Sequence, residues 1–483
     1  MPTVHTRAFT LGAIFLLVVA GITPVAAQEA ATAPPATAPP ATAPPATAPA
    51  ATAPPPAQAT SEQSAPAPAP TITLSEAVET ALTANSQLRA AAAQVRRSEA
   101  GIHKARSALL PDVVAMGEYT RSEEPTLVNP MHGTPTPQDP LTFDDQIYTG
   151  VLRLDVPILN LPALSGLSAS RHGVDAQRAR QAEAEQRIIG AVAEIFVQSG
   201  QIHDNTTLLD GHIRALERRL VELRTLSQAG RVPPSSVSEV EANMQSLQAE
   251  RVQLQYRQDE LAFRLASLLG QDRAVAPAVP DFREAPPIGT SADQTGAIGP
   301  AWQAAQAQYR AAEASRTATQ TSFAPRVNGF AAQSSRSGSE LEFTAEWSLG
   351  LTVTVPLFTG GERLARLNAA EADVEAARHN RASARTAELT ETRLLRQRWE
   401  RAAQREELLA AAAVNQERSV SAVENGFTEG RASLSDLLTA ETTLLELRMH
   451  EQSTRYDRLL AYIAHTEIAG DLSPALITSL IED

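Results

Sequence analysis

The residue types that most often do chemistry are present in this sequence, but not in arrangements that let them act together. Cysteine is absent, which removes disulfides, thiolate metal sites, a cysteine nucleophile and a lipidated N-terminal cysteine. The nine histidines are scattered, and none sits in an HExxH or another metal-ligand spacing. His203 and His212 share one predicted helix but stand too far apart to close on one ion, so both read as exposed surface residues. Gly360-Gly361 is followed by Glu362-Arg363; with no Gly-Lys-Ser/Thr it reads as a flexible joint, not a phosphate loop. Carboxylates recur with arginines at helix-surface spacing, so no general acid–base pair stands out. The net charge of −14 and the absence of a basic run argue against nucleic acid. Neither an enzyme activity nor a cofactor is expected.

The spacing that does carry chemistry concerns solvation. From 342 to 356 the odd positions are Phe343, Ala345, Trp347, Leu349, Leu351, Val353 and Val355. The even positions are Glu342, Thr344, Glu346, Ser348, Gly350, Thr352 and Thr354, closed by Pro356. A period of two gives an extended strand one apolar and one polar face. At roughly 3.3 Å per residue the run reaches about 45 Å, enough for a tilted strand to cross a bilayer core of ~30 Å. A second strand puts Tyr148, Leu152, Leu154 and Val156 on one face, with Thr149, Arg153 and Asp155 on the other and Ile147 and Val151 blurring the pattern.

The elements that position these strands follow in order. Residues 1–27 read as a secretory signal, with His5 and Arg7, an apolar core and Val25-Ala26-Ala27 before Gln28. No later segment approaches ~20 consecutive apolar residues, so no transmembrane helix is predicted. Residues 28–70 are an Ala/Thr/Pro-rich disordered linker. A first repeat, 71–270, comprises a helix over 72–110 stopped by Pro111, strands over 112–121 and 146–157 ending at Pro157, and helices over 162–229 and 237–269. The Pro- and Gly-rich stretch 122–140 reads as a loop. A mixed connector covers 271–299. A second repeat, 300–467, comprises a helix over 301–323, Pro325, strands over 326–336 and 342–356, and helices over 361–425 and 433–467. Residues 468–483 form a C-terminal tail. Within 162–229, Ile188, Val192, Ile195, Ser199, Ile202, Thr206, Leu209, Ile213, Leu216, Leu220 and Leu223 alternate by fours and threes, a coiled-coil seam. Displacement by two hundred residues brings Gly230 onto Gly430, Arg231 onto Arg431, Ser235 onto Ser435 and Glu241 onto Glu441, so the unit of helix, hairpin, long helix, turn and helix occurs twice.

Four strands cannot close a barrel, and lipid tolerates no open sheet edge, so if these strands span a membrane several chains must share one barrel. With that plan, the strand ends D-V-P-I-L-N (155–160) and T-V-P-L-F-T-G-G (354–361), and the turn G-F-T-E-G-R-A-S-L-S-D-L-L-T-A-E-T (426–442), the chain resembles the TolC-like outer membrane efflux proteins. The resemblance implies an α+β membrane protein: a homotrimer whose twelve-stranded β-barrel, four strands per chain, continues as a long α-helical coiled-coil periplasmic tunnel. It implies an outer-membrane exit channel of a tripartite efflux or type I secretion system, gated at its periplasmic tip. Its partners would be a periplasmic adaptor (membrane fusion) protein, an inner-membrane pump of RND or ABC type and outer-membrane lipid. The residues alone leave a second reading, a secreted coiled-coil surface or adhesion protein without channel activity. Four membrane-length strands weigh against it.

The resemblance also implies site residues. Asp436 falls where the family often places an acid pointing into the tunnel; three copies would form a carboxylate ring that raises its own pKa. The other reading of Asp436 is a carboxylate at a helix N-terminus. Thr439 stands where some members have a second acid, Phe427 where some have tyrosine, and Arg431 one residue from the family's tip arginine. Ser235 and Ser236 match a hydroxyl–acid pair without its acid. Gly230, Arg231, Gly426 and Gly430 mark turns that an adaptor would dock, with Phe427 a candidate for the same edge. Pro111, Pro157, Pro325 and Pro356 mark strand-to-helix transitions. Tyr119, Tyr148, Phe343, Trp347 and Phe358, with Phe330 nearby, suit an interfacial aromatic girdle.

Overall fold

The computed structural model of the chain describes residues 69–129, 141–288 and 299–481. The predicted signal and nearly all of the 28–70 linker lie outside the described residues. The elements are β1 (Thr71–Ile72), α1 (Leu74–Ala84), α2 (Ser86–Ser107), β2 (Asp112–Asn129), β3 (Thr142–Leu159), α3 (Leu161–Gln228), α4 (Pro234–Leu268) and β4 (Ala276–Pro277). They continue with α5 (Pro300–Thr321), β5 (Arg326–Ser337), β6 (Thr344–Thr354), α6 (Glu362–Thr428), α7 (Leu434–Ala469) and α8 (Pro474–Ser479).

The chain is arranged as four columns. At one end β2, β3, β5 and β6 form an antiparallel sheet in that order, which leaves β2 and β6 as its edges. Below the sheet α2 packs on α3, α3 on α5 and α5 on α6; farther down α4 packs on α3, α3 on α7 and α7 on α6. The order of strands is therefore the order of helices. Columns two and four each contain one continuous helix, α3 of 68 residues and α6 of 67, about 100 Å long at 1.5 Å per residue. Columns one and three are each two stacked helices. The joint in column one is fixed by Asn85, whose amide donates to the Leu268 carbonyl at 2.9 Å; a Cβ on Gly270 would stand 3.1 Å from the Ala84 carbonyl. In column three a Cβ on Gly470 would stand 3.0 Å from Pro300.

The α3 seam is buried at every position except Ile202 and Thr206, which are half-buried. Its upper part joins the largest core, where Phe196 and Val197 meet Val78, Leu265 and Leu459. The connector and the tail pack on that core: β4 pairs in parallel with β1 and Phe282 bridges Ile481. Phe282 also lies edge-on to Tyr456, 6.2 Å between centroids, and Tyr456 Oη donates to Asp204 at 2.8 Å.

Several sequence boundaries are corrected. The helix over 72–110 is two helices, because buried Asn85 leaves helical geometry to cap α2, accepting from Gln87 and Leu88 N–H at 2.9 and 3.2 Å. The predicted loop over 122–140 is strand from 122 to Asn129, with 130–140 outside the described residues, and β3 starts at Thr142, ahead of the predicted 146. Pro125 is accommodated because β2 is an edge strand and its register shifts between Arg121 and Thr126. β3 passes through Pro157 to Leu159, again with a register shift. α6 extends to Thr428, so Gly426 and Phe427 are helical. The tail contains α8. His203 is exposed, but His212 is half-buried on α3, and burial first, then Arg219, lowers its pKa.

Candidate channel wall and tip

The sheet register separates two faces. Cross-strand rows Ala115–Leu152–Gln333–Trp347 and Val113–Leu154–Ala331–Leu349 lie on one face, followed by Val156–Gly329–Leu351. Their large apolar side chains are solvent-exposed in the single chain, Trp347 by 83% and Leu351 by 70%. The opposite face carries rows Val114–Arg153–Ala332–Ser348 and Glu118–Thr149–Arg336–Thr344. Asp155 fixes Arg153 by two hydrogen bonds, 2.7 and 2.9 Å, and the guanidinium lies 4.9 Å from the Phe330 ring centre. Phe330 therefore belongs to the polar face and not to a girdle. It fits there because its partner is Gly350, where a Cβ would come within 2.8 Å of the ring.

The other aromatics fall at different heights, Tyr119, Tyr148 and Trp347 on the apolar face and Phe343 and Phe358 outside the strands. Tyr119 and Tyr148 are cross-strand partners with centroids 5.0 Å apart, toward the end remote from the helices. Phe343 just precedes β6, Trp347 lies four residues farther along, and Phe358 follows β6 at the helical end. Pro111 and Pro325 immediately precede β2 and β5, whereas Pro356 follows β6. Gly360 and Gly361 then turn the chain into α6 at φ +63° and +84°, a left-handed pair that glycine permits.

At the far end the two helical turns share one geometry. Gly230 and Gly430 have φ of +71° and +74°; Arg231 N–H donates to Leu226 O at 2.9 Å and Arg431 N–H to Gly426 O at 2.7 Å. These bonds satisfy carbonyls that the helix ends leave free. The turns are joined by an apolar cluster in which Leu216, Leu220, Leu223, Val240, Leu434 and Leu438 are packed by Val232, Val237 and Phe427. Phe427 thus faces its own chain. Asp436 closes a capping box: Ser433 N–H and Oγ donate to its carboxylate at 3.0 and 2.7 Å, and Ser433 Oγ accepts from Asp436 N–H at 3.1 Å. The Ser433 side chain, then its backbone, holds the carboxyl below its ordinary value. The N-terminus of α4 has Pro233 at the cap and no side-chain bond, so Ser235 and Ser236 do not cap it. Thr439 Oγ1 donates to Ser435 O at 2.8 Å, and Arg431 pairs with Glu429.

A polar link that sequence reasoning missed lies above the turns. Arg219 of α3 reaches Glu441 of α7 at 3.0 Å and Glu424 of α6 at 3.8 Å, tying the two helical hairpins together. Burial raises the Glu441 pKa and Arg219 offsets part of that rise. The signal available was position: Arg219 follows Leu216 by three residues and so flanks the seam. Higher up, a polar groove of about 570 Å³ runs between α3, α4 and α7, lined by Gly190, Glu194, Glu260, Arg264, Asp457 and Glu467 among others. Among the described residues no cluster of His, Asp and Glu could hold a metal ion.

This arrangement is that of a known class of channel protein. A model of the outer membrane efflux protein family matches residues 77–271 and 296–471, and the chain belongs to that family. A search of the curated proteins found no match. Among solved structures it is similar to the outer membrane protein VceC of Vibrio cholerae, with TM-score 0.71, 18% identity, and coverage of 82% of this chain and 96% of that one. It is similar to the outer-membrane channel OprN at TM-score 0.72 and 20% identity, covering 83% and 90%. The CmeC outer membrane channel of Campylobacter jejuni gives TM-score 0.70 and 16% identity, covering 84% and 88%.

Proposed function

We propose that the chain is the outer-membrane exit channel of a tripartite efflux or secretion assembly, a passive duct in which three copies close one twelve-stranded barrel. The observation that carries this reading is the four-column layout. A sheet with one exposed apolar face and two free edges continues, strand by strand, into helices about 100 Å long at 1.5 Å per residue. In lipid the free edges of β2 and β6 must find partners, and β6 is antiparallel to the β2 of a following copy, so closure preserves the ladder. The apolar face then meets lipid and the Thr/Ser/Glu face lines the lumen. The same order of elements in both halves supports an internal duplication. The helical columns extend into the periplasm, where the turns at Gly230 and Gly430 form the end presented to an adaptor protein and an inner-membrane pump, and three exposed Asp436 carboxylates ring the entrance.

The test is fractionation followed by bilayer recording. The full chain is expected in outer-membrane fractions as a heat-modifiable oligomer that conducts ions in planar bilayers. Quantitative recovery as a soluble periplasmic monomer without conductance would overturn the proposal.

A further inference from the structure

The polar groove between α3, α4 and α7 lies within one chain, away from both the sheet and the helical turns. Its floor is a stripe of α3, Gly190, Glu194, Gln198, Gln201 and Asn205, spaced by fours and a three so that one helix face presents them all. Leu254 and Leu261 of α4 form one wall, and Leu460 and Ala464 of α7 the other. Two ion pairs are closed inside the groove, Arg264 with Glu260 at 2.6 Å and Arg398 with Asp457 at 2.9 Å. The third lining arginine, Arg257, is exposed at the rim. Two carboxylates remain at the upper end. Glu194 accepts from the neutral Gln198 amide at 2.8 Å, and Glu467 fills the space that Gly190 leaves. Arg187 opposes the Glu467 charge from a distance but is itself paired with Glu183 at 3.3 Å. The lower end holds Asn205, which is 8% exposed and whose buried Oδ1 has no hydrogen-bond partner. Buried polar groups are rarely left so, and each such group calls for an explanation. Asn205 stands about 16 Å below Glu194 along α3.

We propose that this groove binds a linear polyamine, with one terminal ammonium between Glu194 and Glu467 and an N–H at the far end donating to Asn205 Oδ1. The methylene chain would lie along Leu254, Leu261, Leu460 and Ala464. The lining selects this class. Two carboxylates suit an ammonium with its three donors, and apolar walls suit an aliphatic stem better than a hydrated ion. Among the described residues no group of three acids or histidines is placed to hold a metal ion. An ammonium at the upper end also relieves the repulsion between Glu194 and Glu467. The groove is open on the side away from the connector: a Cβ on Gly200 would stand 3.1 Å from Phe282 and from Tyr456. At about 100° per residue, Glu194, Gln198, Gln201 and Asn205 lie about 100–160° around α3 from Gly200. One further step rests on the reading that three copies form a tube. The connector and tail then take the outer side, where there is room for them, and the groove opens on the lumen. A bound polyamine would narrow the duct about 46 Å along α7 from Asp436, well above the tip.

The test is calorimetric titration of the full chain in detergent with spermine, followed by bilayer recording. Saturable binding of one spermine per chain is expected. Glu194→Gln and Glu467→Gln should each weaken it about ten- to a hundredfold, the loss of one charged hydrogen bond, and Asn205→Leu about two- to tenfold. Glu217→Gln removes the same charge from an exposed position of α3 outside the groove and should leave binding unchanged. Binding that does not saturate, or that Glu217→Gln weakens as much as the groove variants do, would overturn the site. In planar bilayers spermine should reduce the current through the parent, and the two glutamate variants should need about tenfold more for the same block. Site-specific binding with equal block of parent and variants would overturn the luminal placement. A chain that binds spermine as described but forms no conducting oligomer would support the site and overturn the channel reading instead.

Discussion

Glu467 provides a quantitative test of how the columns meet at mid-length. It lies in the last turn of α7, where the helix dipole disfavours negative charge, and its carboxylate presses on Gly190 of α3, whose missing Cβ makes the space. Burial first, then Glu194, pushes its pKa up to about 7, against an opposing contribution from Arg187. Glu260 and Arg264 of α4, Asp457 of α7 and Arg398 of α6 line the same groove. The unfolded chain ionises this glutamate near pH 4.3. Below that value both states are protonated and the group contributes nothing to stability. Between about 4.5 and 7 the folded state holds the extra proton, so stability falls as pH rises; above 7 the penalty is complete. The whole shift corresponds to about 3.5 kcal/mol at 1.36 kcal/mol per pH unit. Discounted for the solvent access the side chain retains, it amounts to about 1–2 kcal/mol.

Replacing Glu467 with Gln keeps the shape and removes the charge. The expected result is a thermal midpoint about 1–3 °C above the parent at pH 8, shrinking to no difference at pH 5. The measurement is circular-dichroism melting of parent and variant across pH 5–8. A gain independent of pH would assign the effect to packing, and no gain at pH 8 would refute the reasoning about a charge forced into the groove.

The remaining predictions concern the wall and the tip. Trp347→Arg, on the apolar face, should cost about 2–4 kcal/mol at bilayer depth and deplete the protein from outer-membrane fractions, whereas Ser348→Arg, on the polar face, should leave its abundance there unchanged. Gly430→Ala forces a side chain into φ of +74°, at about 1–2 kcal/mol; limited proteolysis should nick the second turn roughly five to thirty times faster. Asp436→Asn keeps an acceptor for Ser433 and removes the charge, so block by multivalent cations in bilayer recordings should weaken. Unchanged block would leave Asp436 only its role in the capping box.

What could be read from the sequence was whatever a single local period decides. The alternation around Trp347 needs no partner to be recognised, because every second residue faces the same solvent, and the α3 seam from Ile188 to Leu223 announces a buried stripe in the same way. The features that escaped depend on contacts across the chain. Nothing near Asn85 breaks a helical pattern; the break exists because its side chain caps α2 on one side and holds Leu268 on the other. Pro125 reads as loop until β2 is known to be an edge strand, where a missing N–H costs no internal ladder bond. Phe330 reads as a girdle residue until Gly350 is found beneath its ring. At the tip, composition at 426–442 pointed to the turn, but the role of each residue followed from its neighbours. Phe427 is drawn inward by leucines from α3 and α7, and Asp436 is held by Ser433, three residues away, in the capping box that opens α7. That last case separates two roles which one residue can hold together: the Ser433 bonds fix the carboxylate at the start of α7, and an exposed charge fixed in that way is what three symmetry-related copies would need to form an ordered ring.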